Sequence, residues 1–190
     1  MDIPCVFSYS NVHNKYFCYI EDVDMTQATS ILSFNGQHHQ DLTNNEVNNV
    51  FFSASPMSCF PRDLTQIFPR LTSITVIECG LKTICKEDLR GLENLVELNI
   101  VNNNLELLPG DLFESTPNLE RVIFNCNQIS QVGLTFFEPL EKIRLFMLRD
   151  NKTVNSMYNK IHQESWSWND FKKIVMESCR KMESLSDIEP

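Results

Sequence analysis

The side chains best suited to chemistry are the cysteines, of which the chain of 190 residues has seven. No two are spaced C-x-x-C, so neither a zinc site nor a redox-active dithiol is expected. The histidines have no carboxylate or cysteine at metal-ligand spacing, so no metal is expected at His13, His38, His39 or His162. The motifs G-x-S-x-G, H-E-x-x-H and the P-loop do not occur. We therefore predict a non-enzymatic protein, with no catalytic residues and no cofactor.

The net charge of the chain limits the kinds of partner that it is expected to bind. The formal net charge is −9, whereas a nucleic-acid-binding protein or one that docks on an anionic membrane is expected to be basic. No apolar run approaches the roughly 18 residues of a membrane span, so no membrane insertion is expected. The first residues, MDIPCVFSYS, lack the basic start and apolar stretch of a signal peptide. The chain is therefore expected to be either cytosolic or a mature secreted chain with an added Met.

A sequence repeat with a period of about 24 residues positions most of these side chains. The segment from Leu95 to Leu105 matches L-x-x-L-x-I-x-x-N-x-L, the leucine-rich repeat pattern. Shifts by one period in either direction bring further apolar sets into the same slots, which gives five coils between Val47 and Thr153. We predict an α/β repeat solenoid: a short leucine-rich repeat horseshoe with a parallel β-sheet on its concave side. Stacked inward ladders would form its core.

One slot of each coil is polar. Asn103, Asn127 and Asn151 occupy it, and Cys79 is a small substitute. A carboxamide both donates and accepts, so it can satisfy backbone groups that the turn after the strand leaves unpaired.

The two ends of the solenoid need caps, because its terminal coils would expose apolar edges. We predict an N-terminal β-cap over residues 1–46, repeats over 47–154, and a C-terminal helical cap and tail over 155–190. In the first cap, two β-like runs flank a polar turn, and a Cys5–Cys18 bridge would close a loop of about 14 residues, worth roughly 3 kcal/mol.

A helix is predicted in the second cap. Phe171, Ile174, Val175 and Cys179 recur at helical spacing and could cover the last coil. Either Ser167 or Asn169 could cap the start of this helix.

These motifs resemble those of extracellular leucine-rich repeat proteins, and among them the small secreted ones of flies and midges. The segments that carry the resemblance are Cys5–Phe7, Tyr16–Cys18, Ile67–Leu71, Leu89–Leu95 and Leu108–Leu119. The resemblance implies secretion, an N-terminal disulfide cap and a non-catalytic binding role. Such proteins often place a cysteine after the last ladder Asn, paired to one in the closing helix. Thr153 stands there in this chain, which leaves the pairing of Cys179 open.

Three further cysteine and sequon questions follow from the repeat. Cys59 and Cys85 fall on neighbouring coils, so a bridge between them is left open. Cys126 precedes a ladder Asn and is a candidate exposed thiol. Asn151 begins the sequon Asn-Lys-Thr, and a glycan there would conflict with a buried ladder role unless the last coil is frayed.

The concave face is the predicted partner-binding surface, because alternate strand residues point away from the core. Apolar residues framed by charges are typical of a protein interface. The candidate residues are Phe51, Ile77, Val101, Ile123, Met147, Asn99, Asn125, Arg121 and Arg149.

Two functions follow. The first is recognition of a partner protein, which the resemblance places in extracellular or immune recognition. The alternative is carriage of a small apolar ligand on the same face. The apolar residues could instead only stabilise the strands or lie under the terminal helix. A monomer and a homodimer are both compatible with the sequence.

Overall fold

The computed structural model describes residues 2–11, 14–27, 33–160 and 166–186, with the backbone alone for residues 180–186. Its elements follow one another as a stack of short coils, each with a strand on one side and an irregular return on the other. The strands of these coils lie in one sheet of eight strands.

The strands of the described residues are short, as expected for a repeat with one strand in each coil. They are β1 (Asp2–Pro4), β2 (Val6–Ser10), β3 (Lys15–Glu21), β4 (Ser33–Asn35), β5 (Asn49–Ser53), β6 (Ser73–Ile77), β7 (Glu97–Val101), β8 (Leu107–Leu108), β9 (Arg121–Ile123), β10 (Gln131–Val132), β11 (Leu145–Leu148) and β12 (Ser156–Asn159). The α-helices are α1 (Leu64–Ile67) and α2 (Trp168–Ser186), and 3₁₀ turns span Asn44–Glu46 and Lys86–Leu89.

The order of the large sheet is β12-β11-β9-β7-β6-β5-β3-β2. Strands from β3 to β11 are parallel, and the register between coils equals the sequence period: Ile74 lies between Val50 and Leu98, each of which is one period away. The predicted leucine-rich repeat architecture is therefore confirmed, with the parallel sheet on its concave side.

The core lies behind this sheet. Along β7, Leu98 and Ile100 are buried, whereas Glu97, Asn99 and Val101 on the other face are half-buried. This alternation follows from the two-residue period of a strand. Because each coil adds the same inward residues, the ladders merge into one apolar cluster that runs from the first cap to the last.

The N-terminal cap is a β-hairpin that continues the sheet. β2 pairs antiparallel with β3, and β3 pairs parallel with β5. The Cys5–Cys18 disulfide joins β3 to Cys5, which directly precedes β2, with the Cα atoms 5.7 Å apart, as the sequence predicted. The Cys5 N–H donates to the Asn35 carbonyl at 2.8 Å. Only glycine fits next to Asn35, since a Cβ on Gly36 would lie 1.9 Å from the Cys5 carbonyl oxygen.

The C-terminal cap combines a strand and a helix. β12 reverses direction and pairs antiparallel with β11. Ser167 caps α2, because its Oγ accepts the Asp170 N–H at 3.1 Å. The inward face of α2 buries Phe171 and Val175 against the last coil, as predicted. Within the described residues, neither helix is long and apolar enough to cross a membrane.

Candidate functional site: the concave face and its edges

The polar slot holds neighbouring coils together. Asn103 is buried, and its Oδ1 accepts the N–H groups of Cys79 and Leu81, both at 3.1 Å. Its Nδ2 donates to the carbonyls of Val76 and Val101 at 2.9 and 2.8 Å. One side chain therefore satisfies four backbone groups at the end of the strand, as the ladder interpretation requires.

The same pattern recurs along the stack. The Asn127 Oδ1 accepts the Leu105 N–H at 3.2 Å, and the Asn151 Oδ1 accepts the Ile129 N–H at 3.2 Å. Cys79 occupies the same slot, where its Sγ donates to the Ile77 carbonyl at 3.2 Å. The ladder fixes where each strand ends and therefore which residues the concave face presents.

The chain leaves each concave strand through a left-handed residue. This position has φ between 46° and 58° at Ala54, Glu78, Asn102, Cys126 and Asp150. The turn keeps its backbone paired across the stack: the Glu78 N–H donates to the Val101 carbonyl at 3.2 Å. We call the row formed by the last strand residue and this left-handed residue the exit edge.

The predicted concave residues share one surface. A central row follows the strand register through Phe51, Thr75, Asn99, Ile123 and Met147. Apart from Thr75, which is buried, its members are half-buried, as expected for a curved sheet.

The second concave row contains Ile77, Val101, Asn125 and Arg149. The first three are half-buried, whereas Arg149 is exposed, as is Arg121 at the start of β9. The structure thus brings the apolar candidates of both rows onto one face and places both arginines at its margin.

A groove of about 380 Å³ occupies the N-terminal half of this face. Predicted residues that line it include Phe51, Ile77, Val101, Asn99 and Ile123. Met147, Asn125 and Arg149 lie outside the groove, toward the C-terminal cap. The predicted set therefore divides into a groove and a flatter surface.

The cap strand β3 contributes residues that the repeat pattern missed. Phe17 and Tyr19 line the groove. The ring of Tyr19 lies 5.4 Å from those of Phe17 and Phe51, and the neighbouring Val6 on β2 is 70 % exposed. The available signal was the run Tyr16–Ile20, which is apolar at every position and therefore apolar on both faces of the strand. We call Phe17, Tyr19, Phe51, Ile77 and Val101 the N-terminal groove.

The middle of the concave face is polar. The Asn99 Nδ2 donates to Glu97 Oε1 at 2.8 Å and to Thr75 Oγ1 at 3.3 Å. The Glu97 carboxylate also lies 3.6 Å from Arg121 Nε. Glu97 and Arg121 therefore partly neutralise one another, and this polar centre lies between the aromatic residues of the N-terminal groove and Met147.

The bridge between Cys59 and Cys85, which the sequence left open, does not form. The Cys85 Sγ lies 3.3 Å from Asp88 Oδ2 and 3.7 Å from Arg62 Nη2. Asp88 is buried, and its carboxylate accepts hydrogen bonds from the Cys85 N–H at 2.9 Å and from Arg62 Nε at 2.6 Å. These contacts orient Cys85 toward Asp88.

Two of the thiols, those of Cys79 and Cys85, offer little nucleophilic chemistry. Burial raises the pKa of Cys79 and of Cys85 above the ordinary value of a thiol, which keeps both neutral near pH 7. Cys126 is half-buried, with its Sγ 3.9 Å from Asp150 Oδ2. Cys179 is buried on α2.

The sequon residue Asn151 is part of the ladder. Its Nδ2, the atom that would carry a glycan, donates to the carbonyls of Phe124 and Arg149 at 2.9 and 3.2 Å. Glycosylation of Asn151 stays a prediction, and it would remove one of the two Nδ2 hydrogens that make these bonds.

Two of the four histidines, His38 and His39, belong to the described part of the chain. His13 and His162 lie outside the described residues. His38 stacks on Phe7 with ring centroids 3.8 Å apart, and its Nδ1 lies 2.9 Å from the Tyr16 hydroxyl. In the part of the chain that the structure describes, no three His, Cys, Asp or Glu side chains converge as metal ligands would.

Solved structures with the same arrangement of coils identify the architecture. The LRIM1/APL1C complex matches with a TM-score of 0.62 at 19 % identity, over 82 % of this chain and 30 % of that one. The fold is a leucine-rich repeat solenoid. The APL1 leucine-rich repeat domain matches with a TM-score of 0.52 at 18 % identity, over 82 % of this chain and 44 % of its own. The Drosophila Toll–Spatzle complex matches with a TM-score of 0.55 at 17 % identity, over 66 % of this chain and 17 % of that one.

Sequence comparison also finds leucine-rich repeat proteins that match part of the chain. The human volume-regulated anion channel subunit LRRC8D is 28 % identical over 101 residues, or 53 % of this chain and 12 % of that protein. Toll-like receptor 6 of Bos taurus is 36 % identical over 84 residues, or 44 % of this chain and 10 % of the receptor. No protein-family profile matches the chain. The chain thus spans about a tenth of the length of these relatives, and the solenoid is what they share with it.

Proposed function

We propose that this leucine-rich repeat protein is a non-enzymatic recognition module that binds a partner protein through its concave face. The observation that carries the proposal is the set of half-buried apolar side chains on the concave face of the sheet, on both sides of its polar centre. These residues include Phe51, Ile123 and Met147, and they point away from the core. An apolar surface with a polar margin excludes water favourably when a partner covers it.

Secretion and extracellular or immune recognition are part of this proposal. The Cys5–Cys18 disulfide supports an oxidising environment, because structural disulfides persist in secreted proteins and are rare in the cytosol. Similar solenoids occur in the Toll–Spatzle complex of Drosophila development and innate immunity and in the LRIM1/APL1C complex. Both are complexes between proteins, which supports a protein as the partner here.

The experiment compares the chain with a variant of its concave face. Purified chain and the variant Ile123→Glu/Met147→Glu are immobilised, and proteins retained from extracellular fluid of the source organism are quantified by mass spectrometry. We expect at least one protein to be retained by the wild type and depleted more than tenfold by the variant, because a charge would be buried at the interface.

The control places the same charges behind the sheet. Leu107 and Leu134 lie in the return segments and are 47 % and 75 % exposed. The variant Leu107→Glu/Leu134→Glu should retain the partner as the wild type does. Equal capture by all three proteins would refute the concave site. A small apolar molecule retained by the wild type in native mass spectrometry, without a retained protein, would favour the alternative carrier function.

A further inference from the structure

We infer that the partner presents a basic segment: apolar anchors that enter the N-terminal groove, flanked on one side by Lys or Arg that faces the exit edge. This inference rests on the proposed function and deepens it by stating the chemistry of the partner. Its basis is the distribution of charge along the two edges of the same four strands.

Every charged residue on the N-terminal half of the exit edge is acidic. The pairs that end β3, β5, β6 and β7 are Glu21-Asp22, Ser53-Ala54, Ile77-Glu78 and Val101-Asn102. Glu21, Asp22 and Glu78 are exposed, and no Lys or Arg stands among the eight residues. Asp22 and Glu78 are separated by two strand spacings, which is about 10 Å. We call these three carboxylates the acidic edge.

The acidic edge lacks the neutralisation that other carboxylates of the protein receive. Asp88 pairs with Arg62 at 2.6 Å, and Asp111 with Lys86 at 3.0 Å. Within the described residues, by contrast, Glu21, Asp22 and Glu78 form no ion pair; Glu78 accepts only a neutral hydrogen bond, from Asn102 Nδ2 at 3.2 Å. Three neighbouring negative charges are therefore left for an external cation.

The N-terminal groove would bind the apolar side chains of the same partner segment. Ile77 and Val101 belong both to the N-terminal groove and to the exit edge, so the apolar surface and the carboxylates are contiguous. At the opposite edge, Lys15 has its Nζ 3.4 Å from Asn49 Oδ1, and the carboxylate of Glu97 is already paired with Arg121 at 3.6 Å. A bound segment would accordingly place its cationic side chains at the acidic edge rather than at the start of the strands.

Charge complementarity selects a basic protein over a second copy of the chain. With a net charge of −9, two copies repel each other, whereas a basic partner is attracted and its association is accelerated. Each rim charge of this kind contributes modestly to affinity, and the three together also act on specificity and on the association rate.

A peptide selection with the full chain tests the inference. A phage-displayed library of random 12-residue peptides is selected on the immobilised protein at low ionic strength, and enriched peptides are synthesised for fluorescence anisotropy. We expect them to combine aromatic or large aliphatic residues with Lys or Arg. Their binding should weaken about tenfold in Glu21→Gln/Asp22→Asn/Glu78→Gln. It should also weaken with added salt and in Phe51→Ser.

The control variant changes the net charge equally but elsewhere. Glu106, Glu138 and Glu141 are exposed in segments between the concave strands, and Glu106→Gln/Glu138→Gln/Glu141→Gln should bind the peptides as the wild type does. The inference is overturned if enriched peptides lack basic residues, if no peptide is enriched, or if both triple variants bind alike. A partner whose capture depends on Ile123 and Met147 but not on the acidic edge would leave the proposed function standing and refute only this inference.

Discussion

The two caps protect the same core by different means. The N-terminal cap closes the sheet with a hairpin and a covalent bond, Cys5–Cys18. The C-terminal cap has no disulfide among its described residues and instead packs rings against the last coil, with Phe171 5.6 Å from Phe146 and 5.5 Å from Trp168. The disulfide of the N-terminal cap acts by lowering the conformational entropy of the unfolded chain. The C-terminal cap instead stabilises the folded state through the burial of aromatic rings.

The largest effect is expected at the C-terminal cap. Phe171→Ala removes a fully buried ring that also contacts Phe137 and Tyr158. Urea denaturation should show a loss of about 3–5 kcal/mol in the free energy of unfolding, because a cavity is left in the aromatic cluster. Trp166→Ala, at a ring that is 59 % exposed, should change it by less than about 0.5 kcal/mol. Equal effects would show that α2 does not cap the core.

The N-terminal cap should respond slightly less. Cys5→Ala/Cys18→Ala is expected to lower the free energy of unfolding by about 3 kcal/mol, from the entropy of a loop of this length. Denaturation of the wild type with and without reductant provides the internal comparison, since reductant should destabilise only the wild type. If the variant were as stable as the oxidised wild type, the two caps would not differ in how they stabilise the protein, because both would depend on packing.

Two residues of the asparagine ladder compare the middle of the solenoid with the region beside the C-terminal cap. Asn103→Ala leaves the N–H groups of Cys79 and Leu81 without their acceptor, and an unsatisfied buried group costs about 1–3 kcal/mol. Asn151→Ala, at a half-buried position beside the cap, should cost less than Asn103→Ala, about 1 kcal/mol. Both values come from urea denaturation monitored by circular dichroism. An equal cost would mean that the ladder is as tightly closed at its end as in its middle.

The smallest effect on stability is expected where each cap meets the concave face. Val6→Thr on β2 and Met157→Thr on β12 replace side chains beside the central row. We expect the free energy of unfolding to change by less than about 0.5 kcal/mol for Val6→Thr. Binding of the selected basic peptides should fall for Val6→Thr and stay unchanged for Met157→Thr, measured by anisotropy. A reversed order would move the binding site to the C-terminal half.

The repeats were predictable to a degree that the caps were not. The spacing of Leu98, Ile100 and Asn103 predicts which side chains are buried and which one ends the strand, and the structure agrees. The N-terminal disulfide and the face of α2 also followed from the sequence. The contribution of Phe17 and Tyr19 to the groove did not, nor did the contacts that keep Cys85 beside Asp88.

The difference has a physical origin in the register. Along the repeats each residue contacts its own equivalent one period away, so a local pattern determines the core, the ladder and the concave rows. The cap strand β3 instead pairs with β5 at an offset longer than the period, as in Phe17 beside Asn49. No periodicity encodes that offset, since it depends on how the hairpin closes over the first coil. The sequence alone therefore determined the solenoid, whereas only the tertiary structure placed the N-terminal groove beside the acidic edge.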